Sequence, residues 1–338
     1  MNKNILIAYF ITYTKNSWFW LGVWVLYYLR FTDYAGIGLL ESVMIATMVL
    51  AEIPTGALAD LLGKKKTLMV ALFLFGFGNL VMAFASSFSV LLCSILLMSI
   101  GGAFFSGTHE ALMYDTLKDI GKEDQFEKVI SHNNTIMMIA FGLSSILGGY
   151  MYAFDPRLPF VVVGSFNMLG FVSTFFLTEP KTDSEHFSFT NYFHQMTDGF
   201  KHLFRKPSIT YLVLYLLGIG IFVEINYEML HDIQMVEFGF SDIQLGILAS
   251  IMYFVSAFFS QLTPKLSFLL GARNLFLLLG SVFAVSLIIS PFLSMILGGF
   301  MLIARSSTLT VSENITSVLL NRAISSKYRA TGISTFKM

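Results

Sequence analysis

Long apolar stretches alternate with short polar loops along the whole chain. The apolar segments fall near residues 5–29, 34–57, 67–86, 88–117, 129–153, 159–178, 208–230, 242–265, 273–291 and 293–319. A helix needs about 20 apolar residues to cross the hydrocarbon core of a bilayer. Each segment therefore predicts a membrane span, and the set predicts an all-α polytopic membrane protein with about ten transmembrane helices. Segments longer than this minimum imply tilt or extension beyond the bilayer. The longest polar stretch opens at Pro180, which stops the sixth segment. Within it Phe193, Met196, Phe200, Leu203 and Phe204 recur at helical spacing among Lys201, Arg205 and Lys206. That pattern predicts a short amphipathic helix on the membrane surface. The chain thus divides into a six-helix bundle over 1–180, a linker over 181–207 and a second bundle over 208–338.

Composition agrees with the pattern. Hydrophobic residues make up 55% of the chain and charged residues 12%, about half the charged share of a soluble domain. A soluble fold of this length has no interior large enough for its 35 phenylalanines. The net charge of zero gives no basic field for nucleic acid. Cys93, the single cysteine, lies in an apolar run, so neither an internal disulfide nor a cysteine metal cluster is expected. The glycines form no phosphate loop, and the Ser and His residues assemble no catalytic set. No cofactor, metal or enzymatic activity is expected. Lys3 precedes a long aromatic-containing apolar stretch without a small-residue cleavage site, so this stretch reads as helix 1 rather than a signal peptide.

The basic residues set an orientation. With the N-terminus in the cytoplasm, Lys3, Lys64, Lys65, Lys66, Lys118, Lys122, Lys128, Lys181 and Lys201 fall on the cytoplasmic side, together with Arg205, Lys206, Lys265, Arg273, Arg322, Lys327, Arg329 and Lys337. Arg30 and Arg157 fall outside, and Lys15 and Arg305 lie within spans. This asymmetry follows the positive-inside rule. It predicts a multi-pass protein of the cell membrane, plasma or inner.

The loop between the second and third segments carries Gly56, Leu58, Asp60, Gly63, Lys64 and Lys65. It resembles the signature of the major facilitator superfamily, Gly-x-Leu-x-Asp-x-x-Gly followed by two basic residues. Leu61 departs from it, standing where members often carry Arg. Ser106-Gly107-Thr108-His109-Glu110-Ala111-Leu112-Met113-Tyr114-Asp115 is similar to runs in a bacterial, efflux-type branch of that superfamily. Gly142-Leu143-Ser144-Ser145-Ile146-Leu147-Gly148-Gly149 partly resembles the Gly-rich helix 5 motif of its antiporters. The motif's Pro is missing, and close helix packing is a sufficient account. Pro264-Lys265-Leu266 and Gly271-Ala272-Arg273-Asn274-Leu275 echo the first-half loop weakly, without an aspartate matching Asp60. The stretch from Asn321 to Thr331 resembles the approach to helix 11. The resemblance therefore implies two pseudo-repeated bundles, with helices 7–10 and the start of helix 11 in 208–338. The expectation is truncation after helix 10 of twelve: a truncated gene, a partial sequence or a true variant.

Ionisable residues inside spans are costly and mark function by default. For a substrate or proton pathway the candidates are Lys15, Glu41, Glu110, Tyr114, Glu224, Glu228 and Arg305. Lys15 has Trp18, Phe19 and Trp20 beside it as a cation surface. At ~1.5 Å per residue it matches Glu41 in depth, so the two can pair. Glu110 and Tyr114 share a helix face at i,i+4. Glu224 and Glu228 are also at i,i+4, so repulsion leaves one a readier proton acceptor. Arg305 can bind an anion or neutralise a carboxylate. His109 reads either as a titrating group or as a donor to a helix neighbour, the latter preferred. For a cytoplasmic gate the candidates are Glu52, Gly56, Asp60, Gly63, Lys64, Lys65 and Asp115, with Glu313 beside them.

These residues and the resemblance imply a secondary transporter of a small organic solute, working by alternating access and proton-coupled export. Its partners are that substrate, protons and the lipid bilayer, and a monomer is expected. The reading from another class is a non-transporting membrane protein, either an inactive fragment or a regulatory derivative of a transporter.

Overall fold

The computed structural model describes residues 2–180 and 225–323. The first helices are α1 (Lys3–Asn16), α2 (Trp24–Tyr28), α3 (Tyr34–Leu62) and α4 (Lys64–Ala83). Next come α5 (Phe88–Phe105), α6 (Thr108–Asp119), α7 (Phe126–Phe154) and α8 (Leu158–Thr174). After a π-helical turn at Asn226–Leu230 follow α9 (His231–Glu237), α10 (Asp242–Leu270), α11 (Ala272–Ile289) and α12 (Met295–Ala323). Among the described residues there is no strand, and seven spans are long and apolar enough to cross a membrane. Exposed Leu50, Phe154, Phe268, Phe292 and Phe300 suit hydrocarbon rather than water. The linker over 181–207 lies outside the described residues.

Two predicted spans are broken. The first, 5–29, divides into α1 and α2 around a turn-rich segment. Three side chains occupy the carbonyls of the last turn of α1 and end it. Asn16 Nδ2 donates to Thr12 O at 2.8 Å, the Ser17 hydroxyl to Tyr13 O at 2.7 Å, and the Trp18 indole N–H to Lys15 O at 2.7 Å. Such bonds compete with continued helix by satisfying the carbonyls from the side. The fourth span, 88–117, divides at Gly107. Its φ of 71° is left-handed backbone, which glycine adopts without a Cβ penalty. Elsewhere helix continues where a stop was expected. Pro264 and Lys265, which echo the first-half loop in sequence, sit inside α10, which runs past residue 265 to Leu270.

The chain forms two compact units, one of residues 1–187 with 241–250 and one of 188–240 with 251–338. In the first, α4 packs between α5 and α8. A Cβ at Gly101 would come within 2.8 Å of Ala71 O and Phe75 N, so the backbones of α5 and α4 touch there. Ile11, Leu68, Leu72, Leu112 and Leu177 fill one core cluster. Ile5, Ala8, Met113 and Leu117 fill another. The opening turns of α10 belong to this unit, with the Ser250 hydroxyl donating to Gly142 O at 2.9 Å. In the second unit Leu275, Leu279, Val311 and Ile315 join α11 to α12. Ser256 and Ser306 bond at 2.9 Å between α10 and α12.

Candidate functional site

The loop between α3 and α4 is held by charge. The Lys64 ammonium pairs with the Asp115 carboxylate on α6. Glu179 caps the start of α4, accepting from the Lys64 N–H at 2.6 Å and the Lys65 N–H at 2.8 Å. A carboxylate fits there because the first-turn amides are unpaired and carry partial positive charge. Lys65 Nζ donates in turn to Phe175 O at 2.8 Å and Leu177 O at 2.7 Å, at the end of α8. The structure thus joins Gly63, Lys64, Lys65 and Asp115 in one cluster. It adds Glu179, which the sequence reading missed. The available signal was an acidic residue directly before Pro180, where the sixth span ends near three lysines. Glu52 is brought to the break in the fourth span, with its Oε1 3.5 Å from the Ser106 hydroxyl. Gly56 and Asp60 lie within α3 rather than in a loop, and the side chains of Asp60 and Glu313 are outside the described residues.

This clamp yields a first prediction. Glu179→Gln keeps the shape and loses the charge on two amides, worth ~1 kcal/mol. In a Cys93→Ala background, a cysteine at the buried position Thr67 should then label about fivefold faster. An unchanged rate would mean that Glu179 does not hold the loop.

Lys15 closes α1 and is only 6% exposed. Its Nζ lies 3.4 Å from the Phe75 ring centroid, 5.1 Å from Trp18 and 5.6 Å from Phe105. Of the neighbours expected from sequence, Trp18 is in place, while Phe75 and Phe105 take the positions assigned to Phe19 and Trp20. Phe19 turns instead to Phe166, and Trp20 stacks on Trp18 while its indole donates to Asn79 Oδ1 at 3.1 Å. Among the described residues no ion pair joins Lys15 to Glu41, the pairing that their depths allow. Glu41 is buried elsewhere in the unit, within electrostatic reach of Tyr28. Cation–π contacts contribute ~0.5–2 kcal/mol, less than the several kcal/mol that burying an ion costs. The rings orient the ammonium without neutralising it.

A polar network joins α1, α6 and α7 beside this box. The Thr12 hydroxyl bonds Asn133 Oδ1, and His109 Nε2 donates to Ala8 O at 3.1 Å while its ring stacks on Phe105. The donor reading of His109 holds, with its partner on α1 rather than its own helix. Glu110 is exposed in the first turn of α6. Tyr114 is 40% exposed and packs edge-on against Phe126.

In the second unit Arg305 is fully buried. Its Nε donates to Ser286 Oγ at 2.9 Å and its Nη1 to Asn226 Oδ1 at 2.9 Å and Gln234 Oε1 at 2.5 Å. Nη2 reaches Ser286 O at 3.2 Å and Met301 Sδ at 3.7 Å. All five guanidinium hydrogens are engaged, so Arg305 ties α12 to α11, to α9 and to the π-helical turn. Glu224 lies outside the described residues. Glu228 lies in the π-helical turn, and its side chain is likewise outside them.

Apolar spans, broken helices and ionisable groups buried among them define a multi-pass helical membrane protein. A family model of the Major Facilitator Superfamily matches residues 5–338, and the chain belongs to that family. It is 28% identical over 277 residues to the quinolone resistance protein NorA of Staphylococcus aureus (strain MSSA476), covering 78% of this chain and 70% of NorA. It is 22% identical over 251 residues to the uncharacterized MFS-type transporter YxaM of Bacillus subtilis (strain 168), covering 72% of this chain but only 61% of YxaM. The crystal structure of the nucleoside transporter NupG superposes with a TM-score of 0.81 at 15% identity, over 99% of this chain and 86% of that one. At that identity the likeness is one of fold.

Proposed function

We propose that the chain acts as a secondary transporter, exporting a small organic solute in exchange for protons by alternating access. The observation that carries this reading is membership of the superfamily by a chain whose spans bury ionisable groups, Lys15 and Arg305 foremost. Such groups are retained inside a bilayer where they handle charge. A relative named for quinolone resistance supports export and an organic substrate. In this reading the bundles over 1–180 and 208–338 rock about a central site while the linker over 181–207 joins them. The protein sits as a monomer in the cell membrane, N-terminus in the cytoplasm. The clamp of Lys64, Lys65, Asp115 and Glu179, with Glu52, Gly56, Asp60 and Gly63, works the inner gate. Lys15, Glu41, Tyr114 and Arg305 belong to the substrate side. Glu110 and the pair Glu224 and Glu228 are the proton-carrying carboxylates.

Flux in vesicles, measured with and without an imposed pH gradient, tests this. Glu110→Gln and Glu224→Gln keep side-chain shape and remove the titrating group. At least one should lose gradient-driven flux by about tenfold or more, as removal of a proton-transfer group does. Unchanged pH dependence in both variants at normal expression would refute proton coupling through these residues.

A further inference from the structure

We infer that Lys15 and its aromatic walls form a recognition site for the carboxylate of a small aromatic acid. The inference deepens the transport reading and rests on it for the direction of movement only; binding is measured separately, so the two fail independently.

The argument begins with what Lys15 lacks. The residue is more than nine-tenths buried, yet among the described residues its ammonium meets neither a carboxylate nor a hydrogen-bond acceptor. A lysine carries three donors and no acceptor. Buried ammonium groups are paired or displaced toward water. This one is held in place by Phe75, Trp18 and Phe105, with its donors unanswered. The missing complement is one negative charge that accepts hydrogen bonds, which a carboxylate supplies.

The walls specify what accompanies the charge. Trp18 stacks on Trp20 at 5.0 Å and meets Phe75 at 6.5 Å and Phe141 edge-on at 5.0 Å. A flat ring extends such an array by offset or edge contact, which a saturated ring does less well. Open space lies along the chain on both sides of the box residue Phe105. Gly101 touches Phe75, whereas a Cβ at neighbouring Gly102 would meet nothing within 4 Å, and the same holds at Gly107. Ser106, between the box residue Phe105 and Gly107, is exposed. Glu52 beside Ser106 places a negative charge at this opening. That charge disfavours entry of a multiply charged anion more than a singly charged one.

The protein carries its own reporter. Its three tryptophans are Trp18, Trp20 and Trp24, so tryptophan emission, excited selectively over tyrosine, reads this segment. The purified full chain in non-ionic detergent is titrated with benzoate, benzamide, benzylammonium and cyclohexanecarboxylate. Benzoate should saturate the emission change at a Kd about tenfold below that of benzamide, the worth of one charge-assisted contact. Benzylammonium should not saturate, and cyclohexanecarboxylate should bind more weakly than benzoate. Lys15→Met should bring benzoate and benzamide within about twofold, and Lys15→Arg should restore a preference for benzoate. The wild-type series decides without any variant. Equal response to the three charges, or preference for benzylammonium, overturns the site. Cyclohexanecarboxylate binding as tightly as benzoate, pointing to a fatty acid from the membrane, overturns its aromatic character. A benzoate preference surviving in Lys15→Met moves the site away from Lys15.

Discussion

Arg305→Met should lower the thermal stability of the protein in detergent by the equivalent of about 3 kcal/mol, from five lost hydrogen bonds at ~0.6 kcal/mol each in a membrane protein. Among the described residues, the guanidinium alone bonds Asn226, Gln234 and Ser286 together. Methionine fills its volume but leaves Asn226 Oδ1 and Ser286 O buried without those donors, at ~1–3 kcal/mol for each unsatisfied group. Removing a buried charge recovers part of this, because the ion's own desolvation disappears, so the lower figure is the better expectation. Gln234 is partly spared, since its Nε2 still donates to Ser290 Oγ at 2.8 Å. Arg305→Lys separates charge from geometry. A lysine keeps the charge, but its three donors radiate from one atom and do not span acceptors on three elements. It should be destabilised nearly as much as Arg305→Met. The measurement is the fraction of monodisperse protein after heating. Wild-type stability in both variants would remove Arg305 from its role as a tie.

The spans were legible because the bilayer imposes one rule on every segment. A stretch such as 129–153 must be apolar for its whole length, and α7 covers it at Phe126–Phe154. Segment order survives such a reading. Breaks inside a span do not, because a broken helix in protein interior stays as apolar as an intact one. In sequence Gly107 stands out as part of the run from Ser106 to Asp115. It meets no neighbour within 4 Å, and its use is the left-handed backbone that ends α5. Asn16 and Ser17 were visible as polar residues, but only the structure shows them turned onto the carbonyls of α1. Pro264 echoes a loop in sequence, yet α10 passes through it. Proline removes one amide donor, and a long span tolerates this where neighbours resatisfy the backbone.

The candidate site was legible by residue and less so by partner. Lys15 and Arg305 stand out in sequence because charge inside a span is rare. What each faces depends on helix rotation and on which helices are neighbours, and neither is written in one segment. Depth counting placed Lys15 level with Glu41, a one-dimensional argument. The side chain instead points toward α4 and α5, where Phe75 and Phe105 wait. Glu179 escaped because it sits at a loop edge, where an acidic residue has no cost and so draws no notice.

The last prediction concerns the glycine face of α7. A Cβ built on Gly148 would overlap the carbonyl of Phe19, in the segment between α1 and α2. One on Gly149 would come within 2.7 Å of Asp242 O at the start of α10. These obstacles are backbone and do not rotate aside. Gly148→Ala should therefore destabilise by ~1–3 kcal/mol through overpacking, reduced by the ~0.5–1 kcal/mol that alanine gains over glycine in a helix. Gly280→Ala is the control. It sits in α11 with nothing within 4 Å of the added carbon, so it keeps the helix gain alone and should be unchanged or more stable. Opposite signs in the same heating assay distinguish a contact that needs glycine from a glycine merely present. A second readout follows from position. Phe19 stands between Trp18 and Trp20, so a displaced Phe19 should shift the tryptophan emission and weaken benzoate binding in Gly148→Ala, with neither change in Gly280→Ala. If Gly148→Ala is as stable as the wild type and its emission is unmoved, the segment between α1 and α2 does not rest on α7 at this glycine.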